Sequence, residues 1–301
     1  MAVIEPHAPA AIGAPSAGAI LRRRVFGHSG FVFGAVVLGL IVLMAIFAPV
    51  LAQHDPYDQV LDRKLIPPIW FDSPKVTWEH PLGTDHFGRD YLSRVIWGAR
   101  IALMIGFSAM LISLVIGTTI GVLAGYFGGW VDTILSFVIT TRLSMPVVLV
   151  ALAVVSIVGS SLTVVIWVLG LLIWDQFAVV MRAATQQIRS RDFVAAAEAI
   201  GCSTPRILAS EILPNVAGSL IVVATVEVAH AIVLEAALSF LGLGVQPPEP
   251  SWGLMISEAK GLMFFDGWLI AIPGAALFVL LLAINLLGDG LRDVSAPEGR
   301  S

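Results

Sequence analysis

Charge is scarce in this chain, and that shortage excludes more functions than any residue it contains. Lys, Arg, Asp and Glu make up 13% of the 301 residues against 57% hydrophobic ones, and the mean hydropathy is +0.91. An ordinary soluble domain does not have that balance; an integral membrane protein does. The net charge of -4 offers no basic field to nucleic acid, since the only basic run, Arg22 to Arg24, abuts an apolar stretch. A single cysteine, Cys202, excludes an intrachain disulfide and any multi-cysteine metal site. No GxxxxGK[ST] phosphate loop occurs, so nucleotide must be handled elsewhere if it is used at all. No inverted repeat and no nucleophile–base constellation is visible, so no catalytic residue is assigned. His54, His80 and His86 fit no metal-ligand spacing and read as solvated or locally bonded, so no metal ligand is assigned either.

Six apolar runs are present. Their lengths approach the roughly 20 residues that cross a bilayer, at about 30–52, 101–125, 134–158, 162–184, 216–238 and 267–288. The first is too long for the apolar core of a signal peptide, although Val50-Leu51-Ala52 resembles a cleavage site. An orientation with both termini cytoplasmic puts Arg22, Arg23, Arg24, Arg182, Arg189, Arg191, Arg206, Arg292 and Arg300 inside, and Arg63, Lys64, Lys75, Arg89, Arg94, Arg100 and Lys260 outside. The chain then divides into a disordered cytoplasmic tail (1–21), a first transmembrane helix (22–52), an extracytoplasmic loop (53–98), a helical core (99–291) and a cytoplasmic tail (292–301). A second external stretch, GLGVQPPEPSWG, predicts turn or extended backbone.

The polar segment DFVAAAEAIGCSTPRILASEILPN, Asp192 to Asn215, interrupts this apolar pattern. Its alanines predict a short helix with Asp192 at the positive end. Gly201 can take the left-handed conformation that ends such a helix. Thr204 suits an N-cap and Pro205 the first position of a second helix, while Pro214 marks a break before the fifth span. Ala195, Ala196, Ala197 and Ala199 would let another protein approach closely; the competing reading is an ordinary amphipathic connector.

These residues carry a family resemblance. Ala196-Ala197, Gly201 and Ile212-Leu213-Pro214-Asn215 resemble the EAA-loop signature of ATP-binding cassette (ABC) importer permeases. GTDHFGRDYLSRVIWGAR (Gly83 to Arg100), GYFGGWVD (Gly125 to Asp132), LEAALSFLGLGVQPPEPSWG (Leu234 to Gly253) and NLLGDGLRD (Asn285 to Asp293) resemble the dipeptide/oligopeptide/nickel subfamily, and the extra first helix its C-type subunit. The resemblance implies an all-α integral membrane protein with six transmembrane helices and a type I ABC importer permease core. It also implies a coupling loop, 189–215, that docks on an ATPase through Ala195, Ala196, Ala197, Glu198, Gly201, Pro205 and Arg206. The implied partners are a B-type permease, two ATPase subunits and an extracytoplasmic solute-binding protein; ATP and Mg would be bound by the ATPases, with no cofactor in this chain. Three departures stand out. The family's EAA glutamate falls on Ala195, with Glu198 one turn later on the same face. The basic residue before Ile212 is Glu211, and positions Ser136-Phe137 and Thr140 replace Met-Arg and Asp while Arg142 is added.

Arg142, Asp175, Glu227 and His230 lie at membrane depth, where ionisable groups are costly. They could line a translocation path or bridge neighbouring helices, Arg142 with Asp175 for example. Trp97, Tyr126, Trp130 and Trp268 read as an interfacial belt. The rival function is an ion-coupled secondary transporter using Asp175, Glu227 and His230; a lone chain would then suffice. Peptides, metal chelates, opines and oligosaccharides all remain open as substrates.

Overall fold

The computed structural model describes residues 27–295. The tail 1–21, Arg22 to Arg24 and Arg300 lie outside the described residues. The regular structure of the described residues is helical, in the order α1 (Ser29–Ile46), α2 (Ala48–Leu51), α3 (Tyr91–Phe127), α4 (Gly129–Leu143), α5 (Val147–Val158), α6 (Leu162–Leu172), α7 (Asp175–Arg189), α8 (Asp192–Ala199), α9 (Thr204–Ile207), a π turn at Leu208–Ile212, α10 (Leu213–Phe240), α11 (Trp252–Glu258) and α12 (Trp268–Ser295), with short 3-10 turns at Leu61–Arg63 and Lys260–Leu262. Among these residues five helical stretches are long and apolar enough to cross a membrane, and the bent pair α4–α5 makes up to six.

The long helix α3 organises the bundle. Asp90 caps its start by accepting the Ser93 N–H at 2.7 Å. Its 37 residues span roughly 55 Å at 1.5 Å per residue, well beyond the hydrocarbon core. Gly117, Gly121 and Gly125 form one stripe along it, and α7 lies against them so closely that a Cβ at Gly121 would stand 2.5 Å from the Ala178 carbonyl oxygen. Small residues at four-residue spacing permit such backbone approach where no solvent drives helices together. α1 packs along α12 and α3, and His28 meets Asp293 at 3.1 Å near the described ends of the chain.

Two expectations about helix continuity need correction. The predicted third span, 134–158, is not straight: α4 and α5 meet at 81° across Ser144, Met145 and Pro146. Pro146 has no N–H to continue the ladder, and beside the break the Arg142 guanidinium donates to the carbonyls of Met145 and Leu172. The fourth span holds as one stretch, Leu162–Arg189, with only a local break in the helix at Ile173–Trp174 between α6 and α7. Pro214 is the opposite case: the helical stretch runs on from Thr204 to Phe240 without a sharp break. The π turn just before it re-pairs the backbone where proline removes a donor, and Pro214 sits in the first turn of α10, where that donor is not needed. The second external stretch does run as turns up to α11, whose Trp252 is buried and donates from Nε1 to the Val95 carbonyl at 2.9 Å.

Candidate functional site

The two ends of α3 carry two different assemblies. At its C-terminal end stands the 192–215 segment. α8 ends in a Schellman arrangement: Gly201, at φ +80°, donates to the Glu198 carbonyl at 3.0 Å and Cys202 to that of Ala197 at 3.1 Å. Nothing lies within 4 Å of where a Gly201 Cβ would be, so the glycine is required by backbone conformation and not by crowding. α9 then begins with Ser203, one residue before the expected Thr204, in the N-cap position, and Pro205 lies in its first turn.

One face of this helical pair is tied to the spans. Val194, Ala197, Ile207 and Ile212 are buried with Val122, Tyr126, Met181 and Val216. The Tyr126 hydroxyl donates to Glu198 Oε1 at 3.1 Å, and the Arg189 guanidinium lies 5.5 Å over the Tyr126 ring. Ala197 therefore faces the bundle, against the expectation that it is offered outward, and Glu198 spends its carboxylate on α3. The opposite face is open: Phe193, Ala195, Ala196, Ala199, Ile200, Gly201, Pro205 and Arg206 are exposed, Ile200 at 80%. Glu211 is half-buried, and its carbonyl accepts from the Asn215 side-chain amide at 2.7 Å.

At membrane depth the four ionisable candidates do not form one cluster of ion pairs. Glu227 is buried and reaches His230 Nδ1 at 3.3 Å, one turn along α10, while the His230 ring stays 42% exposed. Asp175 is buried at the start of α7, where its Oδ1 accepts the Gln176 N–H at 3.1 Å. Among the described residues Arg142 forms no ion pair with Asp175; it holds the carbonyls at the α4–α5 and α6–α7 breaks. A half-buried bidentate contact missed by sequence reasoning lies at the start of α4, where Arg182 binds both Asp132 oxygens at 2.5 and 2.6 Å, with Ser136 on the same carboxylate. Tyr126 and Trp268, expected in an interfacial belt, are buried instead; Trp268 stacks edge-on against Tyr91 at 5.3 Å. Trp130 is exposed, as a belt residue would be.

At the N-terminal end of α3 the 53–90 loop folds into a polar assembly. Gly83 and Gly88, both at positive φ, allow the turns of GTDHFGRDY. Arg89 pairs with Asp85 at 2.5 Å and with Glu258 of α11 at 2.7 Å, and Arg94 reaches the same Glu258 at 3.2 Å. These guanidiniums are almost wholly buried. The run of charged residues flanked by glycines was the available signal; the partner at position 258 was not visible in it. His86 is pushed below its ordinary value of 6.5 by burial, opposed by Asp85 and Glu258. The Glu79 carboxyl is held below the usual range by its bond from Arg63, and burial followed by Glu249 raises Tyr57.

Comparison with known proteins agrees with this architecture. Residues 117–300 match the family described as binding-protein-dependent transport system inner membrane component. Residues 16–68 match the N-terminal transmembrane domain of oligopeptide transport permease C. The dipeptide transport system permease protein DppC of Haemophilus influenzae is 38% identical over 271 residues, 90% of this chain and 91% of that one. The di/tripeptide transport system permease protein DppC of Pseudomonas aeruginosa is 39% identical over 91% of this chain and 90% of its own length. The glutathione transport system permease protein GsiD of Pectobacterium atrosepticum is 37% identical over 89% of this chain and 88% of that relative. Among solved structures, an inward-facing form of the MetNI methionine ABC transporter superposes with a TM-score of 0.57 at 20% identity, over 67% of this chain and 97% of that one, a likeness of fold.

Proposed function

The chain belongs to the family of inner-membrane components of binding-protein-dependent transport systems, and from that premise we propose that it is one of two permease subunits of an ATP-driven importer of short peptides. Membership makes it a multi-pass inner-membrane subunit of an ABC importer, working with ATPase subunits, a partner permease and a binding protein. The finer assignments are a B-type partner permease in a heterodimer, two ATPases, and both termini on the cytoplasmic side. ATP and Mg are assigned to the ATPases, since this chain has no phosphate loop. Peptides are favoured over the other solutes because relatives named for dipeptide, di/tripeptide and glutathione transport cover nearly the whole chain.

The observation that carries the coupling role is the two-sided character of the 192–215 segment. Its inner face is locked to α3, α7 and α10 through the cluster around Ile207 and Ile212, and through the Tyr126–Glu198 bond. Its outer face is exposed and built from the small or apolar side chains of Ala195, Ala196 and Ile200, with the charged Arg206 beside them. A body that grips the outer face and moves must drag three spans with it. ATPase closure on nucleotide would thus bias the spans toward one access state, and a loaded binding protein at the other end of α3 would bias the same equilibrium. Arg142, Asp175, Glu227 and His230 are assigned to the path or its walls, with His230, whose side chain stays 42% exposed beside the buried Glu227, as the first to test. Ion coupling by Asp175, Glu227 and His230 finds no support in the family.

The test is uptake. Proteoliposomes carrying the co-expressed complex, with ATP inside and the binding protein outside, are expected to accumulate a labelled dipeptide. Uptake driven by a proton or sodium gradient with this chain alone, and no ATP requirement, would overturn the reading.

A further inference from the structure

Three side chains of the loop between α2 and α3 that transport leaves unused converge on one point. His54, Glu79 and His80 offer ligand atoms that all lie within 4.8 Å of one another. We propose that this trio, oriented by Asp90, binds one divalent transition-metal ion of the borderline class, of which Zn2+ is the type. Two imidazoles and a carboxylate are the donor set such ions take, with a fourth position left for water or a solute group.

The hydrogen bonds fix which ring nitrogens keep a lone pair. His80 is buried, with Nδ1 2.9 Å from Asp90 Oδ1 and Nε2 3.2 Å from an Arg63 nitrogen. A guanidinium nitrogen can only donate, so Nε2 is the acceptor and the ring proton sits on Nδ1, directed at Asp90. That is the carboxylate–histidine arrangement that orients a metal-binding imidazole and raises its basicity. Asp90 is itself held, because its other oxygen caps α3. His54 follows the same logic: Nε2 lies 2.9 Å from the Glu79 carbonyl oxygen, an acceptor, so Nε2 carries the proton and Nδ1 keeps the lone pair. The two rings stand 4.7 Å apart.

A cation already occupies these acceptors. The Arg63 guanidinium donates to both the Glu79 carboxylate and His80 Nε2. Its side chain is 43% exposed, so it can swing into solvent and yield its place to a doubly charged ion. Arg63 is therefore a built-in competitor, and metal binding would replace a single ion pair by a link fastening residue 54 to residues 79 and 80 beneath the N-terminus of α3. The inference does not depend on what the complex transports.

The test uses the full chain, co-expressed with its partners, purified in detergent without a polyhistidine tag and titrated with Co2+, whose visible absorption reports nitrogen and oxygen ligation; Zn2+ is then added in competition. One displaceable ion per chain is expected. Glu79→Gln, an exposed change that leaves the fold intact, and His54→Ala are each expected to weaken binding at least tenfold. Asp90→Asn is expected to weaken it by about 10- to 100-fold through the imidazole it positions, and Arg63→Ala to tighten it. Absence of stoichiometric binding to both the wild type and Arg63→Ala would overturn the proposal, as would an affinity unchanged by Glu79→Gln and His54→Ala combined.

Discussion

Gly201 separates conformational from steric explanations of the 192–215 segment unusually well. Its φ is +80°, and a Cβ placed there would meet nothing within 4 Å. Any substitution thus costs only the left-handed backbone penalty, roughly 1–2 kcal/mol for an L-residue and more for a β-branched one, while Asn, which tolerates that region, costs less. At about 1.4 kcal/mol per tenfold, the population with an intact α8–α9 turn falls by roughly 5- to 30-fold relative to its alternatives in Gly201→Ala. The series Gly201→Asn, Gly201→Ala and Gly201→Val is therefore expected to lose ATP-dependent uptake in that order, with membrane insertion unaffected. Asn is larger than Ala, so a crowding argument ranks those two the other way. The assay is dipeptide uptake per unit of inserted protein, read beside ATP hydrolysis. Better transport by Gly201→Ala than by Gly201→Asn, or full transport by Gly201→Val, would refute the reasoning.

Gly121→Leu forces side-chain atoms into the Ala178 carbonyl and Met181 Cβ, and overpacking of this kind costs about 1–3 kcal/mol; a lower thermal midpoint in detergent is expected, while Gly39→Ala, with open space around it, should leave the midpoint unchanged. Glu258→Ala removes the carboxylate shared by Arg89 and Arg94 and leaves buried charge uncompensated, a loss of about 3–5 kcal/mol; faster protease cleavage in 53–90 is the readout, and an unchanged pattern would speak against the network. His86 has a folded-state value lowered by burial, so its neutral form is the one the fold favours. As pH falls below the unfolded value of about 6.5 the unfolded chain takes up the proton more readily, and loop stability drops. His86→Asn is expected to remove that part of the acid sensitivity of proteolysis without altering behaviour above neutrality.

The membrane class and the helical pair within 192–215 were legible because both rest on local pattern. Apolar run length marked the spans, and the Ala-rich stretch, Gly201 and Pro205 punctuated α8 and α9 nearly as observed. Helix continuity was less legible, because proline acts through its surroundings: Pro146 breaks a span whose loose carbonyls Arg142 can hold, whereas Pro214 follows a π turn that absorbs it. Contacts between distant residues were not legible. Arg89 and Arg94 find Glu258 more than 160 positions away, and Tyr126 bonds Glu198 across 72. The histidines show the same limit, since His54 and His80 have no motif spacing yet stand ring to ring. Ala197 illustrates the cost of reading a helix as a set of equivalent alanines: of the run 195–197, only the one a turn from Val194 turns inward.

The central claim is that the exposed face of α8 is gripped by an ATPase subunit, and site-directed cross-linking tests it directly. In a Cys202→Ser background, Ala196→Cys and Ala195→Cys are expected to cross-link to the ATPase with a short thiol-reactive reagent, to a degree that changes when ATP is bound. Val194→Cys, on the buried face, is expected not to. Efficient cross-linking from Val194→Cys, or none from Ala195→Cys and Ala196→Cys in a complex that still transports, would contradict the account.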